Sequence, residues 1–174
     1  MQGKYQHNKS YKADLPYPQV EVGKPNDEYA KLIYEDYAGR VSELTAITQY
    51  VQQNVLLQKE YEEVANDLLG IAEVEMHHLK ILAEVLVALG AKPKYGAYTG
   101  QQFKYWNASM DRYADTLMII IKNSIEDENE MVTQYNDHIK LIQDKNIQEI
   151  LRRIVQDEEV HIGILTALYH KYFR

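Results

Sequence analysis

Residues 71–82, IAEVEMHHLKIL, and residues 154–165, IVQDEEVHIGIL, decide how this chain folds. Each block sets a Glu and a His three residues apart, Glu75 with His78 and Glu158 with His161, inside a run of Ile, Leu and Val. Residues three apart on an α-helix share a face, so each block offers one carboxylate and one imidazole to the same point. The apolar residues around them keep helical spacing: Val64, Leu68, Ile71, Leu82, Val85 and Leu89 about the first pair, and Ile147, Leu151, Ile154, Leu165, Leu168 and Tyr172 about the second. A solvated charged face does not carry such neighbours. Both acids and both histidines are therefore predicted to face a core.

Upstream of each block lies a second repeated stretch. SELTAITQY (42–50) contains Glu43 and DENEMVTQY (127–135) contains Glu128; both end in Thr-Gln-Tyr, with Tyr50 and Tyr135 each seven residues after its Glu. Glu43 precedes Glu75 by 32 residues and Glu128 precedes Glu158 by 30. Residues at one height of an antiparallel helix pair are equidistant from the turn, which puts the turns near residues 59 and 143. Each lone Glu is then level with a Glu-x-x-His. Glu128 shares a stripe with Met118, Ile121, Ile125, Val132, Tyr135, Ile139 and Ile142, whereas Glu43 lies at the edge of a broad apolar face holding Val41, Leu44, Ile47 and Val51. Glu126 and Glu130 flank Glu128 and are alternatives to it; Glu128 is preferred because it alone is on the stripe.

All four prolines fall in an N-terminal arm, residues 1–25, or in a segment near residues 91–108, and the rest reads as helix. Asn26 has the position of an N-cap and Gly90 that of a helix C′ residue. Each of the two proline-free stretches, about 65 residues long, exceeds a usual globular helix and is read as an antiparallel pair. The predicted fold is all-α: a four-helix bundle over 26–174 with a long crossover between its second and third helices. Fully extended at about 3.3 Å per residue, that crossover spans roughly 60 Å, enough for the third helix to run parallel to the second and relate the halves by an approximate two-fold axis. The arm, with LPYPQ, is expected to wrap either this bundle or a neighbouring subunit.

Composition narrows the chemistry. No cysteine excludes disulfides, thiol catalysis, zinc fingers and iron–sulfur sites from this chain, so any metal must sit on oxygen and nitrogen. With 26 acidic against 19 basic residues and no basic cluster, a nucleic-acid partner is not expected. No apolar run suggests a secretory leader or membrane span, and a cytoplasmic protein is expected. Four carboxylates and two imidazoles facing one another are a ligand set for two divalent ions, and the four negative charges match the ions' four positive ones. Nitrogen and oxygen ligands do not separate manganese from iron. His77 points away from the His78 face and is expected to be exposed or to support the site indirectly. Tyr50 and Tyr135 read as core tyrosines with bonded hydroxyls. His7, His138 and His170 have no usable spacing, and the 15 tyrosines have no evident reason.

At these residues the chain resembles the ferritin-like superfamily, most of all manganese catalases and their short spore-coat relatives, then rubrerythrins. The resemblance covers about residues 15–174 and rests on LPYPQVEVGKPNDEYAKLIYEDYAGRVSEL, GIAEVEMHHLKIL and RIVQDEEVHIGIL. It implies that Glu43, Glu75, His78, Glu128 and His161 are metal ligands, with Glu75 bridging. Glu158 would bridge as in ferritin and rubrerythrin relatives, or stand beside the metals as a proton-handling catalytic carboxylate as in manganese catalases. The implied function is disproportionation of hydrogen peroxide at two manganese or iron ions. The alternatives are a di-iron peroxidase or ferroxidase fed by an external electron-transfer protein, and a non-enzymatic coat or iron-binding bundle. A homo-oligomer is expected, with cytoplasmic or spore-coat location.

Overall fold

The computed structural model describes residues 9–174; His7 lies outside them. Helix α1 (Asp27–Ala38) is capped by Asn26, whose side chain accepts from Tyr29 N, and α2 (Glu43–Leu57) by Ser42, which accepts from Thr45 N. Helix α3 spans Glu62–Ala88, α4 Leu117–Leu141 and α5 Lys145–Phe173. The turns fall at residues 58–61 and 142–144, and Asp144 caps α5 by accepting from Asn146 N and Ile147 N. Gly90 follows α3 at φ +87°, a left-handed conformation that glycine adopts without a Cβ penalty.

Two expectations need correction. The stretch from Asn26 to the first turn is two helices, not one, broken at Gly39-Arg40-Val41-Ser42. Ser42 and Thr45 both donate to the Gly39 carbonyl there, and a new helix starts at Glu43. The crossover is also longer and more structured than expected. It carries a hairpin of β1 (Gly96–Thr99) and β2 (Gln102–Tyr105), paired antiparallel, then a 3₁₀ turn at Ala108–Met110, so α4 begins at Leu117 rather than near Ser109.

Helices α2–α5 form the bundle. Its core is two apolar clusters separated by a polar layer. One joins the ends of α3 and α4 (Ile81–Leu89, Met131–Ile142) to the start of α5 and to α1; the other joins the starts of α3 and α4 (Val64–Ala72, Leu117–Ile121) to the ends of α2 and α5. Helices α3 and α4 therefore run parallel, and the crossover spans the bundle between them. It ties α2 to α4 on the way. Trp106 Nε1 donates to Thr45 (3.0 Å), Thr48 donates to Asp111 (2.9 Å), and Arg112 donates to Gln49 from its backbone and to Asp127 from its guanidinium. No helix of the described residues is long and apolar enough to cross a membrane.

Candidate metal centre

The polar layer between the two clusters is where the six side chains meet. Glu43, Glu75, His78, Glu158 and His161 are wholly buried and Glu128 nearly so. Ligand atoms of Glu43, Glu75, His78 and Glu158 lie within 4.8 Å of one another, as do those of Glu75, Glu128, Glu158 and His161. The two groups share Glu75 and Glu158. Each shared carboxylate turns one oxygen to each histidine: His78 Nδ1 is 2.8 Å from Glu75 Oε2 and 3.2 Å from Glu158 Oε1, while His161 Nδ1 is 3.0 Å from Glu75 Oε1 and 3.0 Å from Glu158 Oε2. Glu126 and Glu130 are on the surface, paired with Arg112 and Arg40.

Glu43 sits on α2 differently from the pattern expected for that helix. The face turned inward is Glu43, Gln49, Tyr50, Gln53 and Leu57, while Val51 and Val55 are 42% and 73% exposed. Val51 and Val55 thus point outward, Leu44 packs only at the edge of a core cluster, and the polar side chains Glu43, Gln49 and Gln53 turn toward the centre. Glu43 is also the first residue of its helix, where unpaired backbone N–H groups favour a carboxylate.

Tyr50 and Tyr135 are buried and cross the bundle. Tyr50 donates to Oε1 of Glu128 and Tyr135 donates to Oε1 of Glu43, so each half's tyrosine orients the other half's acid. The remaining oxygens, Glu43 Oε2 and Glu128 Oε2, together with Glu75 Oε1 and Glu158 Oε1, are buried without a hydrogen-bond donor. Four inward carboxylate oxygens lacking donors are costly unless cations meet them. That observation fits the residues to a pair of metal ions.

The electrostatics agree. Burial, then the neighbouring carboxylates, push Glu43 and Glu128 well above the usual carboxylate range. Burial pushes Glu75 and Glu158 the same way, but the two imidazoles outweigh it and hold both below that range. His78 and His161 are held well above the ordinary imidazole value, because surrounding carboxylates outweigh burial. Without metal the cluster demands protons, which is the demand two cations satisfy. Burial and the carboxylate each one faces also push the Tyr50 and Tyr135 phenols well up, so both remain donors.

Outside this layer lie supporting residues that sequence reasoning missed. Asp157 Oδ2 is 2.9 Å from His78 Nε2 and also accepts from Tyr17, while its Oδ1 accepts from Arg153 (2.6 Å) and from Ala13 N (2.7 Å). His161 Nε2 lies 2.9 Å from the Tyr11 carbonyl. The arm therefore wraps its own bundle. The adjacency of Asp157 to Glu158 was a visible signal for one of these contacts; nothing in the sequence marked the arm's carbonyl. His77 is exposed and meets the Tyr17 ring edge-on at 4.5 Å. A narrow cleft beside Tyr50 and Glu128, walled by Ser42, Gln49, Arg112 and Met131, opens about 20 Å³ to the centre of a water-sized sphere.

A bundle of four helices, two bearing a lone Glu and two a Glu-x-x-His, defines a ferritin-like protein. The rubrerythrin family matches residues 38–169, and the chain belongs to that family. It is 27% identical over 149 residues to a bacterioferritin of Desulfovibrio desulfuricans, covering 81% of this chain and 75% of that protein. It is 23% identical over 175 residues to a probable manganese catalase of Clostridium acetobutylicum, covering 88% and 75%. In fold it is similar to KatB, a manganese catalase from Anabaena, with a TM-score of 0.82 and 21% identity, over 92% of this chain and 80% of that one.

Proposed function

We propose that this chain holds two divalent ions, manganese or iron, on Glu43, Glu75, His78, Glu128, Glu158 and His161, and disproportionates hydrogen peroxide there. The observation that carries the two-ion site, which this reaction and the alternative below both require, is the sharing of Glu75 and Glu158 between the two four-residue groups, each offering one oxygen to each group. A bound metal pair would supply a two-electron redox couple beside the substrate. The protein's own residues do the rest. Glu75 and Glu158 hold the two positions close together, the histidine Nδ1 atoms close each group, and Tyr135 and Tyr50 fix Glu43 and Glu128 so that one oxygen of each faces inward. The cleft beside Tyr50 and Glu128 has room for about one water-sized molecule. Hydrogen peroxide is a molecule of about that size.

Disproportionation takes its electrons from a second peroxide and so needs no external donor. The two-sided reach of Glu158 favours a second reading, a rubrerythrin-like peroxidase or ferroxidase that draws electrons from an external protein. Oxygen evolution separates them. Metal-loaded protein given peroxide without reductant is expected to release one dioxygen per two peroxides over many turnovers; a single turnover that resumes only with a reduced carrier moves the assignment to the peroxidase. Glu75→Ala is expected to abolish metal loading and peroxide consumption, and an unchanged rate would overturn both readings.

A further inference from the structure

The two halves of the centre match closely except at one point. On the His78 side, the acceptor for Nε2 is Asp157, the residue immediately before Glu158 on α5. The corresponding residue on α3, immediately before Glu75, is Val74, which has no acceptor to offer His161. The carbonyl of Tyr11 takes that place, 2.9 Å from His161 Nε2. A carbonyl only accepts, so the contact requires a proton on Nε2 and turns Nδ1 toward Glu75 and Glu158, leaving Nδ1 as the nitrogen a metal ion would take.

That carbonyl is seated by its own side chain. The Tyr11 hydroxyl donates to Asp67 Oδ1 (3.0 Å), and Lys9 Nζ reaches Oδ2 of the same carboxylate (2.6 Å). The ring lies directly on Gly70 of α3, where an added Cβ would come 2.4 Å from two ring carbons. Gly70 is thus the floor of a socket for the ring, and no larger residue leaves the ring in place.

Resting on the dinuclear reading above, we infer that the arm is a positioning element of the metal centre: the Tyr11 carbonyl, socketed by Gly70 and Asp67, orients His161 and sets metal affinity on the His161 side alone. The His78 side takes its support from Asp157, which Arg153 on the same helix holds (2.6 Å) in addition to the arm's Ala13 and Tyr17, so it keeps a partner when the Tyr11 ring leaves its socket. Groups that orient metal-binding histidines typically change affinity by about 10–100-fold when removed.

The test uses the full chain, with zinc(II) as a redox-silent probe of nitrogen and oxygen ligands, in wild type and in two variants, Tyr11→Gly and Gly70→Ala. Alanine at 70 favours the helix, so that variant keeps the fold while emptying the socket. Zinc per chain is measured under chelator competition, and ¹⁵N shifts of the histidines report which Nδ1 is coordinated. Wild type is expected to retain two zinc ions at a chelator level where both variants retain one, with His78 still coordinated and His161 released. Variants that hold both ions as tightly as wild type, or that lose both together, overturn the inference, the second outcome assigning the arm to the fold only. A wild-type chain that takes up no zinc overturns the dinuclear reading itself, and the control shows this before either variant is measured.

Discussion

Tyr50 and Tyr135 are twins in sequence, and their partners are exchanged: each donates to the acid of the opposite half. Removing either hydroxyl leaves a buried carboxylate oxygen with no donor, which costs about 1–3 kcal/mol. Tyr135→Phe and Tyr50→Phe are therefore expected to lower the stability of metal-free protein by that amount each in urea titration; a loss below about 0.5 kcal/mol, within the range of ordinary surface changes, would count against the contact. His138 follows the same logic in a pH-dependent form. It is buried, with Nδ1 2.9 Å from Asp36 and Nε2 3.5 Å from Glu35. Burial works against its charge, but these two carboxylates raise it from 6.5 to about 10. A base raised on folding contributes stability fully below its unfolded value, and that contribution is lost as pH rises through its folded value. Asp36, pushed up mainly by burial, shifts in the same sense. The stability difference between wild type and His138→Leu should accordingly be largest near pH 6 and shrink toward pH 10; a difference constant across that range would refute it. Several of the 15 tyrosines also find their reason at this scale. Tyr17 donates to Asp157, Tyr34 donates to the Lys92 carbonyl, and the Tyr29 hydroxyl accepts from Gln143 N.

Among the elements, α2 departs furthest from its sequence pattern. Hydrophobic periodicity placed Val51 inside with Glu43 at an edge, whereas the helix is rotated so that Glu43, Gln49 and Gln53 face the bundle. Periodicity finds the face that avoids water in an ordinary helix. Here the inward positions are claimed by groups serving the polar layer. The break at residues 39–42 follows from local signals, a glycine and then a serine able to cap, that a long proline-free stretch obscured. Helices α3 and α5 were legible because each carries only two polar residues on an otherwise apolar stripe. The end of α3 gives a test at this scale. Gly90 has φ +87°, where an L-residue pays about 1–2 kcal/mol, and a Cβ there would sit 3.3 Å from Pro25. Gly90→Ala is expected to lower the denaturation midpoint accordingly, with the slope unchanged; an unshifted midpoint would mean that the turn relaxes without cost.

Across the whole molecule, the core is interrupted at mid-bundle by a layer of acids and histidines, so the fold and the centre share one free-energy balance. Ions that bind only the folded chain add RT ln(1 + [L]/Kd) per site, about 2.7 kcal/mol at a hundredfold excess over Kd. Melting temperature is expected to rise with free manganese or iron and fall when chelator removes them. Insensitivity of the melting temperature to both would separate this layer from metal binding. Spacing along the chain is enough to place the helices bearing the two Glu-x-x-His motifs, the turns that level each lone Glu with its partner, and the parallel course of the second and third bundle helices. These follow from spacing along one chain, which helical geometry converts directly into position. The exchange of partners between Tyr50 and Tyr135, the reach of Glu158 to both histidines, and the backbone carbonyl of the arm beside His161 come from packing in three dimensions. Those contacts join residues separated by 78 to 150 positions, or side chains whose orientation depends on every helix around them, and no local spacing encodes them.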